Sequence, residues 1–587
     1  MKKTEISPIM REIVGFSTKF SYSPDETVNF KLNIQLKYLK RGEVFPDISI
    51  YRLGYYRGHG ARLLGKATVL YPLKTQPNCS FDQESRMVDC SNWIVSAQWR
   101  IPIDSVSGVY IAVPMFRLSS QYSSHMRKNE NFHKNFIPFV VRQLSNSLGS
   151  DILFKVSDLT WVAYNLYGGW NLYRGGRQFS FASRAKKVSY DRPFANRLPE
   201  PLGKQQNFLF GTEYPSIYWL EKQGFHVSYA SCSDVEELNL YGMLSRDRYR
   251  VLLSVGHDEY WTPELREAHL VARDNGIHIA FFSGNEAFWR VLWKEKYTET
   301  VITSVAQSPA RPIFQFQDGE RRVVVCRKET IDGVALSNAS HLWTGTFIDP
   351  RFRPAEHQHS LTGQYFMVNA MRRDRMTVSR RDGSLRFWRN TTAAWDDQMI
   401  PSSSKGKVIR KKDSSNGRKH RHLLKNEGDD VFRPDDRLDD IAYTSSPGLL
   451  GYEWDASIDD CHRPNGMFTL SHTTIPVEKA LMETYGAAYK GSGTLTHKLS
   501  LYRHIKFRIP SVEDEQFLLS ALKTNSICSN QSIAIAERQS EQQHRSPGAL
   551  VFGAGTVQWA WALSDFRDGE QMGEDYTIQV RFQYALT

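Results

Sequence analysis

Two short apolar segments on either side of a helix pattern constrain the fold of this chain most. Residues 250–255 (RVLLSV) and 277–282 (IHIAFF) are each long enough for a strand that is buried on both faces. Between them, residues 262–275 begin with a Thr-Pro pair, which suits a helix N-cap and first position, and Gly276 follows the expected end. A strand, a helix and a second buried strand predict a βαβ unit and a parallel sheet covered on both faces.

The same alternation of strand and helix patterns extends upstream of that unit. Residues 152–156 have strand character, and residues 216–224 form a helix pattern that ends at a glycine. The first part of the chain differs, because alternating segments such as 28–37 (VNFKLNIQLK) lie between turn signals and helical periodicity is absent. We therefore predict an N-terminal β-sandwich over residues 1–145, followed by a Rossmann-like parallel α/β domain over residues 146–587.

Two stretches interrupt the α/β pattern and are predicted to be insertions. The region from 311 to 460 is β-rich and contains a charged insert, in which residues 402–425 carry nine Lys or Arg and residues 427–440 carry seven acids. Opposed charge blocks of this kind indicate a solvated segment. Residues 504–545 are rich in Ser, Gln and Glu and predict a loop insertion. No nucleic-acid-binding motif accompanies the basic block, so we expect no nucleic-acid partner despite the net charge of +12.

Three features of the sequence favour a soluble, cytoplasmic protein. No apolar run approaches the roughly 20 residues that cross a membrane, so we expect no membrane contact. The N-terminal MKKTEISPIM lacks an apolar segment behind its lysines, so no signal peptide is expected. The six cysteines include no CxxC pair. Cys79 and Cys90 are close enough for one loop disulfide, but free thiols in a reducing compartment are the expected state.

The first candidate for chemistry follows the strand predicted at 250–255. If the chain stays extended there, His257 and Glu259 share one face because side chains alternate along a strand. An imidazole beside a carboxylate suits metal binding or general-base work, and parallel sheets bind ligands beyond the carboxyl ends of their strands. The alternative is that both side chains cap the following helix or pair with arginines.

The second candidate follows the strand predicted at 277–282. Ser283, Gly284, Asn285 and Glu286 occupy the strand-to-helix turn where nucleophile elbows carry Ser or Cys, and a helix is predicted to follow. Because Asn285 stands after the glycine, an acyl-enzyme mechanism through this turn is disfavoured. Asn285 can instead donate a hydrogen bond to an oxyanion, or simply satisfy its own turn.

An aromatic segment follows the first strand of the α/β region. Residues 160–173 (TWVAYNLYGGWNLY) place Tyr164, Tyr167 and Trp170 near the same sheet edge. Aromatic side chains of this kind usually form the walls of a site, although without catalysis they would make a ligand or carbohydrate platform.

Several short motifs, taken together, resemble one enzyme family. GHDEYW (256–261), SGNEAFW (283–289), GYEWD (451–455) and GAGTVQW (553–559) resemble the large (β) subunit of N,N-dimethylformamidase and the broad family that shares its C-terminal region. The likeness spans most of the chain. It implies a glutamine-amidotransferase-like α/β domain and an iron-dependent amidohydrolase that acts on small N-substituted, linear amides. It also implies a small partner subunit or a homo-oligomer.

The resemblance further implies a mononuclear Fe(III) held by two tyrosines and one glutamate. Its ligands fall on Tyr164, Tyr190 and Glu259, with Tyr214 as the alternative to Tyr190, and its catalytic residues fall on His257, Asn285 and Glu453. Phenolate and carboxylate are hard oxygen donors, which favour ferric iron. This chain departs from the formamidase at Asp258, where the formamidase has proline. A non-catalytic ligand- or carbohydrate-binding relative is the alternative function.

Overall fold

In a computed structural model of the protein, the described residues form mainly β-strands, with few helices. The structure describes residues 13–34, 45–116, 135–143, 149–176, 178–197, 205–294, 321–329, 342–349, 357–389, 391–394, 441–457, 462–477, 494–504 and 548–568. The charged insert at 402–440 and nearly all of the insertion predicted at 504–545 lie outside these residues.

The N-terminal part of the chain forms two facing sheets. One has the strand order β1-β3-β9-β6 and the other β2-β11-β10-β4-β5, and β7 and β8 form a separate hairpin. The strands are β1 Ile13–Ser17, β2 Ser21–Tyr22, β3 Thr27–Ile34, β4 Pro46–Leu53, β5 Ala61–Lys66, β6 Thr68–Val69, β7 Ser80–Asp82, β8 Met87–Asp89, β9 Ala97–Arg100, β10 Gly108–Phe116 and β11 Ile137–Val141. Alternate residues of β3 are buried, and Phe30 packs with Ile50 and Phe139 from the other sheet in one core.

A seven-stranded mixed sheet forms the centre of the molecule, in the order β14-β12-β15-β17-β29-β28-β25. Its first five strands are parallel, and the last two run antiparallel to their neighbours. The strands and helices of this part are β12 Ser150–Lys155, α1 Asp158–Tyr164, β13 Lys187–Ser189, α2 Leu209–Thr212, α3 Tyr214–Lys222, β14 Val227–Ala230, α4 Cys232–Leu240, β15 Tyr249–His257, β16 Tyr260–Trp261, α5 Pro263–Asp274 and β17 His278–Gly284. Neighbouring residues of β15, such as Leu252 and Leu253, belong to different apolar clusters, so both faces of the sheet are covered.

Most of the remaining strands are short, and several form two-stranded sheets. They and their helices are β18 Trp289–Arg290, β19 Leu292–Trp293, β20 Val323–Val325, α6 His359–Thr362, β21 Tyr365–Asp374, β22 Thr377–Ser379, α7 Arg380–Gly383, β23 Ile441–Thr444, β24 Leu450–Ala456, β25 Phe468–Thr469, β26 Thr473–Pro476, β27 Thr494–His497, β28 Ser500–His504 and β29 Ala549–Gly553. Of these, β29 matters most for the site, because it pairs in parallel with β17 and completes the sheet there.

Helix α5 begins as its sequence predicts. The side chain of Thr262 accepts a hydrogen bond from the backbone N–H of Leu265, and Pro263 occupies the first turn. The prediction of a helix after Glu286 is wrong. Asn285 and Ala287 have φ values of 56° and 51°, which no right-handed helix accommodates, and the chain continues into the short strand β18.

The cysteines differ in part from the expected reduced state. Cys79 and Cys90 form a disulfide across the ends of the β7–β8 hairpin, a pairing that the sequence permits without requiring. Cys232 and Cys326 are buried free thiols. No helix in the described part of the chain is both long and apolar enough to span a membrane.

The end of β17 leaves no room for a side chain at Gly284. A Cβ added there would lie 2.7 Å from the backbone nitrogen of Val557 and 2.8 Å from the carbonyl carbon of Thr556. We expect Gly284→Ala to lower the free energy of unfolding by about 1–3 kcal/mol, because rigid backbone must move. Gly65→Ala is the control, since its nearest neighbour would be 3.8 Å away. Equal unfolding midpoints for the two variants would contradict the predicted close packing.

Candidate active site

The ends of β15 and β17 bring the two sequence-predicted turns together. The parallel register places His257 beside Gly284, so Asn285 follows directly on the neighbouring strand. Gly256 has a φ of 81°, and a Cβ there would lie 2.7 Å from Oγ1 of Thr212. Glycine at this position therefore lets helix α2 pack directly against the strand end.

His257 is buried and makes a hydrogen bond from each ring nitrogen. Its Nε2 lies 2.8 Å from Oε2 of Glu453, and its Nδ1 lies 2.7 Å from Oδ1 of Asn207. The amide nitrogen of Asn207 donates to the hydroxyl of Tyr452 over 3.1 Å, which leaves its oxygen to accept from His257 Nδ1–H. Burial lowers the pKa of His257, but the carboxylates of Glu453 and Glu259 outweigh burial, so the pKa lies above its usual value.

Asn285 completes a group with His257 and Glu453. Its amide nitrogen donates to Oε2 of Glu453 over 2.9 Å and lies 3.3 Å from Nε2 of His257. Its backbone N–H donates to Oδ1 of Asp455 over 2.9 Å, which holds the turn in its left-handed conformation. Within the described residues, its side-chain oxygen has no hydrogen-bond partner. The three residues assigned a catalytic role by resemblance therefore lie together.

Glu259 faces two stacked tyrosine rings. The hydroxyl of Tyr173 donates to Oε1 of Glu259, and the ring of Tyr164 stacks on that of Tyr173 at a centroid distance of 4.8 Å. Oε2 of Glu259 lies 3.5 Å from Nε2 of His257 and has no hydrogen-bond partner in the described part of the chain. Burial, followed by the charge of Glu259, raises the pKa of both phenols well above its usual value.

The two other tyrosines proposed from the sequence lie elsewhere. The hydroxyl of Tyr190 donates to Oδ2 of Asp158 over 2.6 Å, at the opposite end of α1 from Tyr164. The hydroxyl of Tyr214 donates to the backbone oxygen of Gly60. The prediction that Tyr190 or Tyr214 lies beside Glu259 is therefore wrong.

Sequence reasoning missed Tyr173. The resemblance placed this ligand on Tyr190. Tyr173 instead stands in the aromatic segment at 160–173 and follows Gly168 and Gly169, which turn the chain at φ values of 80° and 91°. That turn brings the chain back to Tyr164. The glycine pair is the signal in the sequence that pointed to such a turn. Trp170, expected in the wall, instead packs on Phe81 of the β7–β8 hairpin at 4.6 Å.

Asp258 points away from the cluster and forms a buried ion pair. Its Oδ2 lies 2.6 Å from Nζ of Lys155 on β12, and both side chains are almost wholly inaccessible. Ser254 also donates its hydroxyl to this carboxylate. Ser283 is buried too, and its hydroxyl donates to Oε1 of Glu286 over 2.6 Å, so it does not face the cluster.

The cluster offers oxygen donors for a metal ion. No three or more His, Cys, Asp or Glu side chains among the described residues form a metal-binding group, so a cation here would depend on the phenol oxygens. Tyr164, Tyr173 and Glu259 together provide two phenols and a carboxylate with an unpartnered buried oxygen. This donor set fits a hard, highly charged cation such as ferric iron.

The comparisons with known proteins bear on the family. A family model described as N,N-dimethylformamidase beta subunit-like, C-terminal, matches residues 47–574. No curated protein matches the chain. One matching solved structure is a family 123 glycoside hydrolase from Clostridium perfringens, 15% identical over 26% of this chain and 31% of that chain, with a TM-score of 0.11. A TM-score that low supports no structural or functional conclusion.

The buried ion pair under the site has a testable energetic signature. We expect Lys155→Met or Asp258→Asn alone to cost about 3–5 kcal/mol of unfolding free energy for the charge left unpaired, and the double variant to recover much of that loss. Urea unfolding of the four proteins measures the coupling. Costs that simply add in the double variant would show that the two charges do not stabilise each other.

Proposed function

The chain belongs to the N,N-dimethylformamidase beta subunit-like family, and from this membership and the site geometry we propose that it is an iron-dependent amidohydrolase. Its substrate would be a small N-substituted, linear amide whose C–N bond is hydrolysed. One observation carries the proposal: the phenol of Tyr173 donates to the carboxylate of Glu259, and the ring of Tyr164 stacks on that of Tyr173. Both tyrosines lie beside the group of His257, Asn285 and Glu453.

The architecture supports the same assignment. Five parallel strands, with α5 connecting β15 to β17, support a Rossmann-like domain of the glutamine-amidotransferase-like kind after an N-terminal β-sandwich. We place the boundary of the two domains near residue 145. Because the family is named for a beta subunit, we also propose association with a smaller partner subunit or with a second copy of the chain.

We propose that Tyr164, Tyr173 and Glu259 hold the iron. Ferric iron, when bound, supplies a Lewis acid that polarises an amide carbonyl and lowers the pKa of water. Burial of Glu259 and partial burial of the two tyrosines disfavour their charged forms, as the raised pKa values of both phenols and of Glu259 indicate, so a nearby cation is needed to stabilise them.

Side chains of the protein would give a proton to the leaving amine and orient the substrate carbonyl. Water adds to the carbonyl carbon, the C–N bond breaks, and the departing amine nitrogen requires a proton. Nε2 of His257, held against Glu453, is positioned to give it, while Asn207 fixes the ring from the other side. The amide nitrogen of Asn285 lies in the same group and would donate to the developing oxyanion.

The ligand assignment is tested by metal content and colour. We expect the purified protein to contain iron with a phenolate charge-transfer band, Glu259→Gln to lose the iron, and Tyr173→Phe to weaken binding and shift the band. Tyr190→Phe is the matched control and should keep both, because its hydroxyl bonds Asp158 instead. Elemental analysis and visible absorption give the result.

Two outcomes would contradict this assignment. An unchanged band in Tyr173→Phe together with a lost band in Tyr190→Phe would restore the sequence-derived ligand. Wild-type protein that contains no iron and releases no amine from N-substituted formamides would favour the non-catalytic, ligand-binding alternative.

The proposed roles of Asn285 and Ser283 are tested by measuring kcat for variants of each. Asn285→Ala should lower kcat about 10²–10³-fold through the lost oxyanion donor. Ser283→Ala should retain most activity, since its hydroxyl is buried against Glu286. Release of amine from an N-substituted formamide is the measurement, and a covalent acyl group trapped on Ser283 would overturn the proposed role of water.

A further inference from the structure

Lys328 carries a buried ammonium group in the wall of the site. Its Nζ lies 3.5 Å from the ring centre of Trp289, 4.0 Å from that of Tyr173 and 4.8 Å from that of Tyr260. It donates one hydrogen bond, to the hydroxyl of Tyr260 over 2.7 Å. The side chain has no exposed surface, and no carboxylate in the described part of the chain lies within ion-pair distance of it.

A charge in this position is costly for the fold. An ammonium group has three donors and loses its hydration when buried, and here only one hydroxyl and three ring faces replace the water. Burial accordingly lowers the pKa of Lys328 to about 7. A residue that is this costly to bury indicates a role in function rather than in stability.

The backbone around Lys328 is built to hold it there. Lys328 itself has a φ of 57°, which is unfavourable for a residue with a side chain. Both flanking residues are tied to Thr344: the N–H of Arg327 donates to its hydroxyl over 2.7 Å, and Glu329 accepts hydrogen bonds from its N–H and hydroxyl. These bonds fix the direction in which Lys328 leaves the chain.

Tyr173 connects Lys328 to the carboxylate of the site. The ammonium lies over the ring of Tyr173, Trp289 Nε1–H donates to the Tyr173 hydroxyl over 2.9 Å, and that hydroxyl donates to Glu259. We propose that Lys328 is a positioning residue: its ammonium group packs between the rings of Trp289 and Tyr173, and by fixing the face of the Tyr173 ring while Trp289 binds the hydroxyl, it holds the phenol oxygen against Glu259 for iron binding. This inference rests on the proposed iron site.

The test compares iron affinity, colour and stability in Lys328→Met, which keeps the chain length and burial but removes the charge. We expect iron affinity, measured by chelator competition, to fall roughly 10–100-fold, as is usual when a group that orients a metal ligand is lost. The phenolate band should shift, and the unfolding midpoint of the iron-free variant should equal or exceed that of iron-free wild type. Lys222→Met, on the exposed side of α3, is the control and should change none of these.

The outcomes separate this inference from the proposed function. Wild-type protein that binds no iron would refute the proposed function and, with it, this role of Lys328. Iron-loaded wild type with an unchanged affinity and band in Lys328→Met would overturn the role of Lys328 alone. A lowered midpoint of the iron-free variant would make Lys328 a structural residue and also overturn it. If Lys328→Met does not fold, Lys328→Gln carries the same comparison.

Discussion

The buried pairing of Lys155 with Asp258 is the interaction on which the geometry of the site depends. It joins the ends of two neighbouring parallel strands at a place where neither charge reaches water. Because side chains alternate, anchoring Asp258 on one side directs His257 and Glu259 to the other.

Part of the strained backbone of the described chain lies around the same cluster. Asn285, Lys328 and Tyr452 are non-glycine residues with φ values of 56°, 57° and 60°. Each conformation costs energy and persists because the surrounding contacts determine it. For Asn285, that contact is the carboxylate of Asp455, which accepts its backbone N–H.

Periodic patterns in the sequence predicted the strand ends of the site, whereas its loop residues could not be predicted. Parallel strands end at one edge of a sheet, so the convergence of His257 and Asn285 could be derived from the sequence alone. Tyr173 is different, because Gly168 and Gly169 indicate a turn before it but not where the turn carries the ring. That path depends on their positive φ values and on packing against the β7–β8 hairpin. The prediction of a helix after Glu286 was wrong for a related reason. Helix propensity is a local property, whereas this turn is held by the carboxylate of Asp455, which is distant in sequence.

The place of β29 in the sheet has a consequence for how the protein is made. This strand pairs with β17, yet it lies near the C-terminal end of the described chain, and Val557 just beyond it contacts Gly284. A ribosome therefore makes β17 long before its partner, and the growing chain presents an unpaired apolar strand edge until β29 emerges. Such edges pair readily with other chains. Correct assembly of the site thus depends on that edge staying protected until β29 has been made.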